Sequence, residues 1–277
     1  MILLDGKKLA EELKDKLKKE FQKLRAPATL VFVEVGENPV SRKFIEQKKK
    51  LGEELGVSVR VRNFPDGISG SELRKKLAEI VHDDAVSGVV IQLPLPNSLL
   101  PQTQDILNAV VPKKDIDVLS ARSVGDYRVG KSRIAPPVVG AIQALFEKYG
   151  IEYKKSHIVI IGAGQLVGKP IADWLLREQI PHTVLTDKSL DISSSTKNAD
   201  ILISGTGRAG LITGDMIQEG AVIIDAGTSE MEGRLVGDTD FPSVSEKAGF
   251  ITPVPGGVGP LTVVMIYKNL LELLKNQ

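Results

Sequence analysis

The chain has 277 residues with a formal net charge of +1, and its hydrophobic share of 42% is ample for one large or two modest domains. There is no cysteine, and the three histidines, His82, His157 and His182, lie at no metal-ligand spacing. This excludes disulfides and cysteine nucleophiles and argues against a thiolate- or histidine-built metal site. The near-zero charge gives no reason to expect nucleic acid or a membrane surface, no apolar run has transmembrane or signal-peptide length, and the absence of cysteine fits a cytoplasmic setting.

Asp5 reads as an N-cap, followed at helical spacing by Leu9, Leu13, Leu17, Phe21 and Leu24, with lysines on the solvated face. Pro27 ends that helix. Residues 29–35, TLVFVEV, read as a buried strand and 36–39 as a turn. Ser41 is the expected N-cap of a helix that runs to Leu55 and stops at Gly56. A second strand is expected over 57–62, a helix over 69–82, and a third strand over 88–93, GVVIQL, ended by Pro94 and Pro96. This alternation predicts parallel βαβ units. A helix over 101–111 leads to a charged, irregular stretch from KKDID (113–117) to Pro137, read as the lip of a site or an interdomain crossing.

A helix over 138–149 opens a second series. Strand 158–161 runs into the turn GAGQLVG (162–168) and a helix over 170–176. Strand, glycine turn and helix in that order suit a pyrophosphate: Gly162, Gly164 and Gly168 let backbone amides approach it, and the helix N-terminus supplies partial positive charge. The spacing is GxGxxxG, and a purely structural turn would also use these glycines. Strands 183–186, 201–204, 221–225 and 250–252 follow, and 262–274 is the last helix.

Few side chains stand out by residue type alone. Lys48, mid-helix in FIEQKKK, reads by spacing as a surface lysine. Gln92 is the one polar residue in an apolar strand, placed at the carboxyl end where α/β proteins bind ligands; a satisfied core amide is the other reading. Asp115 and Asp117 alternate in an extended stretch, so one faces a site and the other solvent, or both belong to an ordinary acidic loop. Asp187, nineteen residues beyond Gly168, sits where an acid would bind the adenosine ribose of NAD and repel a 2′-phosphate; a turn aspartate is the other reading. Thr228, closing DAGT, could offer backbone groups to the nicotinamide ribose.

ITPVPGGVGPLT (251–262) packs prolines and glycines into a rigid loop that is costly to order unless it shapes a binding surface. This string, with VIIDAGT (222–228) and RLVGDTDF (234–241), resembles the methylenetetrahydrofolate dehydrogenase/methenyltetrahydrofolate cyclohydrolase family. LLDGKKLAEEL (3–13), VGENPVSRKFIEQKKKLGEELG (35–56), GVVIQLPLP (88–96), PKKDID (112–117) and IGAGQLVGKP (161–170) extend the resemblance over nearly the whole chain.

The resemblance implies two α/β domains flanking a cleft: a folate-binding catalytic domain, 1–137, to which a helix at 261–277 returns, and a Rossmann-type NAD(P)-binding domain, 138–260. It implies a homodimer, no metal, and two reactions: hydride transfer from methylenetetrahydrofolate to the nicotinamide, then hydrolysis of the methenyl product to formyltetrahydrofolate. By position, Lys48 matches the family's catalytic lysine, Gln92 the glutamine that holds it, and Asp117 the aspartate that anchors the pterin. Phe44, Pro255, Gly256 and Gly257 fall on the folate side; Gly162, Ala163, Gly164, Gly168, Asp187 and Thr228 fall on the nucleotide side. Phe44 stands where the family has tyrosine, Val118 where it has glycine, and Gly164 where serine is common. Family habit implies NADP, whereas the charge of Asp187 favours NAD. A monofunctional dehydrogenase, a weakly catalytic folate- or nucleotide-binding homologue, and a dehydrogenase for another small substrate are the alternative readings.

Overall fold

A computed structural model describes residues 1–231 and 233–275. The chain divides into two compact units, Leu13–Pro137 with Val263–Gln277, and Met1–Glu12 with Val138–Thr262. The chain opens with β1 (Ile2–Leu3) and α1 (Gly6–Phe21), and Asp5 caps α1 by accepting the Lys8 amide at 2.9 Å.

The first unit continues with β2 (Thr29–Val35), α2 (Pro39–Leu55), β3 (Ser58–Phe64), α3 (Gly70–Val81), β4 (Gly88–Ile91), α4 (Thr103–Leu107) and α5 (Ala121–Arg128). Its sheet is parallel, in the order β3-β2-β4. β2 is central and every one of its residues is buried, as expected of a parallel strand covered on both faces. Val31, Val33 and Val35 pack with Leu73, Leu77 and Val81 of α3. By strand alternation Phe32 and Glu34 therefore lie on the opposite face.

The second unit adds α6 (Pro137–Tyr149), β5 (Ile158–Ile161), α7 (Gly168–Arg177), β6 (His182–Leu185), α8 (Ile192–Thr196), β7 (Ile201–Ser204), β8 (Val222–Asp225), β9 (Ser229–Met231), β10 (Arg234–Val236), α9 (Phe241–Ser245) and β11 (Phe250–Ile251). Six parallel strands run β1-β11-β8-β7-β5-β6, and β9 and β10 form a separate antiparallel pair. Ile161, Leu202, Ile212, Ile223 and Ile251 centre its core. The last helix, α10, spans Val258–Leu274.

Four expectations are corrected. Residues 1–12 belong with the nucleotide-type unit, not with 13–137: β1 pairs with β11, and the Leu4 amide donates to Ile251 O at 2.8 Å. A two-residue edge strand carries no periodicity to read. α2 is capped by Asn38, which accepts the Ser41 amide at 3.0 Å, so Ser41 lies inside the helix. α10 starts before Thr262, because a proline (Pro260) is tolerated in a first helical turn, where its missing amide costs nothing. The irregular stretch 113–137 also holds a helix, α5, capped by the Ser120 hydroxyl.

Candidate functional site

Lys48 projects from α2 toward the face of the sheet that carries Phe32, with Nζ 5.6 Å from the centre of that ring. Nζ donates to Gln92 Oε1 at 2.9 Å, and Gln92 Nε2 donates to Leu93 O at 2.7 Å. The second bond fixes which end of the amide meets the lysine. Gln92 lies just past β4, so the polar residue in an apolar strand is explained by its neighbour on α2. Burial draws the Lys48 ammonium below its ordinary range, and the negative charge of Asp117 opposes that fall. Burial pushes the Asp117 carboxyl up to about 6; Lys48 pulls it back and Asp115 pushes it further. The structure thus brings Lys48, Gln92 and Asp117 together, three residues from separate elements. Phe44 is half-buried one turn earlier on α2.

Asp115 does not face solvent, contrary to one arm of the sequence reading. It is 4% exposed and accepts the Leu119 amide at 3.2 Å and the Ser120 amide at 2.8 Å. These bonds hold a tight turn in which Val118 has φ +57°, a left-handed conformation costly for a β-branched side chain. Val118, where the family resemblance implies glycine, thus takes a conformation that favours glycine. Val118 is 2% exposed, so its side chain is packed away rather than presented to solvent.

Several contributors escaped the sequence reading. By pattern Phe32 is only a strand residue, and Tyr267 and Asn269 only part of a helix, although a tyrosine and an asparagine within TVVMIYKNLLELL are a usable signal. Tyr267 Oη donates to the backbone carbonyl of Lys48 itself, and Asn269 Nδ2 donates to Ile116 O at 2.9 Å and Ala135 O at 2.8 Å. Glu34 is buried, and its Oε1 has no hydrogen-bond partner among the described residues.

In the other unit two of the three turn glycines are demanded by the backbone, whereas a Cβ on Gly164 would meet nothing closer than Gly205 O at 3.9 Å. Gly162 has φ +97°, and a Cβ on Gly168 would lie 1.8 Å from Gly162 O, so both glycines are required by geometry. α7 has no side-chain cap at its N-terminus; the Lys169 amide donates to Gly164 O at 3.1 Å and the Ile171 amide to Val167 O at 3.2 Å, which leaves Gly168 to offer an amide there. Ala163 and Gly164 are exposed on the same turn. The cradle fits a pyrophosphate.

Asp187 is exposed in the turn two residues past β6, not at the strand's end. Thr228 is exposed just before β9, after a segment tied down by two buried carboxylates. Asp238 accepts the Ser204 hydroxyl at 2.6 Å and the Thr206 amide at 2.7 Å; Asp225 accepts the Gly227 amide at 2.9 Å and the Thr239 amide at 2.8 Å. Pro255, Gly256 and Gly257 belong to this unit too, where Gly256 O accepts the Lys7 amide at 2.8 Å. Among the described residues no cluster of His, Asp and Glu could hold a metal, and no helix is long and apolar enough to cross a membrane.

Residues 4–117 match the tetrahydrofolate dehydrogenase/cyclohydrolase catalytic domain, and 136–277 match the NAD(P)-binding domain of the same family. Bifunctional protein FolD 2 of Lactobacillus johnsonii is 40% identical, covering 99% of this chain and 98% of its own. The crystal structure of the bifunctional FolD methylenetetrahydrofolate dehydrogenase/cyclohydrolase from Campylobacter jejuni superposes with a TM-score of 0.95 at 36% identity, covering 100% of this chain and 99% of that one. The Trypanosoma brucei dehydrogenase-cyclohydrolase, complexed with NADP and an inhibitor, gives a TM-score of 0.93 at 29% identity over 100% and 98%.

Proposed function

Because the chain belongs to the tetrahydrofolate dehydrogenase/cyclohydrolase family, we propose that Lys48, Gln92 and Asp117 form its folate-side chemistry. The protein is a bifunctional NAD(P)-dependent enzyme that oxidises methylenetetrahydrofolate to methenyltetrahydrofolate and hydrolyses the latter to formyltetrahydrofolate. The nicotinamide, when bound, accepts the hydride released by the methylene carbon. The turn from Gly162 to Gly168 would hold its pyrophosphate through the amides of Ala163 and Gly164 and the Gly168 amide that opens α7, and Thr228 is assigned to its ribose on the family resemblance.

The observation that carries the hydrolytic assignment is the Lys48–Gln92 bond at 2.9 Å on a lysine drawn below its ordinary pKa. Neutral Lys48 takes a proton from the water that adds to the methenyl carbon. It returns that proton to the ring nitrogen as the carbon–nitrogen bond breaks, and the remaining hydroxyl proton leaves to solvent as the formyl group forms. Gln92 keeps Nζ in place. Asp117 accepts N–H groups of the pterin and, as a carboxylate, stabilises the cation. Phe44, Pro255, Gly256 and Gly257 are assigned to folate on the family resemblance.

Lys48→Met tests the reading: methenyltetrahydrofolate hydrolysis should fall by about 10²–10⁴-fold, the range of a lost general base, with dinucleotide binding intact. Wild-type hydrolysis would remove Lys48 from the role. Asp187 favours NAD, because its charge would repel a 2′-phosphate. Asp187→Arg should shift the kcat/KM ratio toward NADP by about tenfold or more, and an unchanged ratio rejects the argument. A homodimer in the cytoplasm completes the reading on the family resemblance; a monomer by sedimentation would contradict the first part.

A further inference from the structure

The Lys48 carbonyl already serves the α2 ladder, and it takes a second donor, the Tyr267 hydroxyl from α10. A carbonyl oxygen has two lone pairs, so the phenol adds to the ladder. Gly52 makes this approach possible: a Cβ there would lie 2.6 Å from Tyr267 Oη and 2.4 Å from Val59 Cγ2. Tyr267 is 0% exposed, and burial raises its phenol, so it stays protonated as a donor.

Two residues further along α10, Asn269 holds the carbonyl of Ile116, next to Asp117, and that of Ala135. Residues i and i+2 of a helix point about 200° apart. One side of α10 therefore grips the lysine segment while the other grips the aspartate segment. Leu270 packs on the same region, where a Cβ on Gly88 would meet Leu270 Cδ1 at 3.0 Å and Ile116 Cγ2 at 3.1 Å. The backbone segments carrying the two charges are referenced to one rigid element.

We infer that α10 is a spacer for the hydrolytic site, with Tyr267 as a positioning residue that fixes the backbone of Lys48 relative to the segment of Asp117. The inference rests on the role of Lys48 proposed above. Tyr267→Phe removes the hydroxyl and keeps the ring. The expected result is a fall in hydrolysis kcat of about tenfold, within the loss that a misplacement of an ångström or less produces, with KM and hydride transfer changed by less than about twofold. Tyr153→Phe, which removes a phenol bond to Glu178 at 3.0 Å in the other unit, serves as the control for stability loss alone and should leave hydrolysis unchanged. Unchanged hydrolysis in Tyr267→Phe, or a fall of both activities in equal proportion with a lowered melting temperature, overturns the inference. If the Phe variant does not fold, Asn269→Ala, which frees the Ile116 carbonyl beside Asp117, gives the same comparison of hydrolysis against hydride transfer. Lys48→Met measured alongside separates the two readings: wild-type hydrolysis there rejects the lysine assignment, whereas a dead Lys48→Met beside an unaffected Tyr267→Phe rejects only the positioning role.

Discussion

At the turn between β5 and α7, the groups offered to a ligand are backbone amides of one short segment, and their geometry comes from glycines. Around Lys48 they are side chains from α2, the end of β4 and the 115–117 turn, backed by Phe32 of β2 and by α10. The first site needs the absence of atoms; a methyl group on Gly168 would collide with Gly162 O at 1.8 Å. The second needs particular atoms in register, such as Oε1 of Gln92 at 2.9 Å from Lys48 Nζ. A local site is encoded by spacing, whereas a site of convergent side chains is encoded by the whole fold of its unit.

The contrast is broken most directly by Gly168→Ala. Opening the turn should weaken dinucleotide binding by at least about tenfold, the equivalent of the 1–3 kcal/mol that overpacking costs. Hydrolysis of methenyltetrahydrofolate, which needs no nucleotide, should stay within about twofold of wild type. Fluorescence titration with the reduced dinucleotide reads the first and absorbance the second; unchanged affinity would mean that the turn does not hold the pyrophosphate.

Asp117→Asn sharpens the electrostatic side of the comparison. The Asp117 charge raises the Lys48 pKa, so its loss should move the alkaline rise of hydrolysis to lower pH. The variant also probes stability. The folded carboxyl titrates at about 6 against an ordinary 3.8, so the native state keeps a proton that the unfolded chain has released. Its contribution therefore falls as pH rises between about 4 and 6. Asparagine should remove that slope from denaturant midpoints measured across this window; an unchanged slope would contradict the raised carboxyl.

The smallest effect is expected from Val118→Gly. Glycine releases the cost of the left-handed backbone, about 1–2 kcal/mol, but gives up a buried side chain worth about 1.5–3 kcal/mol. The two nearly cancel, so the melting temperature should move by only a few degrees. A loss of several kcal/mol would show that the turn held by Asp115 carries little strain.

Much of this was legible in the residues. The strands TLVFVEV and IVII, the stop at Gly56 and the glycine turn follow from local chemistry: apolar runs, positive-φ glycines and N-cap residues act within a few positions. Asp5 caps the helix it is expected to cap, and Ser69, expected as a first helical residue, is the cap of α3. Ser41 failed because Asn38, three residues earlier, is an equally good cap and begins the helix sooner. Asp115 read as an acidic loop residue because no local pattern shows that its carboxylate closes a turn. By spacing Lys48 was one lysine among many, and only the family resemblance singled it out.

The sequence by itself determined the two parallel α/β units, the family and the nucleotide turn, since hydrophobic period, glycine placement and long motifs are all contiguous along the chain. The tertiary structure decided the rest. It put residues 1–12 with the nucleotide unit through an edge strand only two residues long. It set Lys48 over Phe32 beside Gln92, and it used Tyr267 and Asn269 to hold the segments that bear Lys48 and Asp117. Those contacts join residues far apart in the chain, and their strength depends on burial and direction, which exist only once the elements have packed.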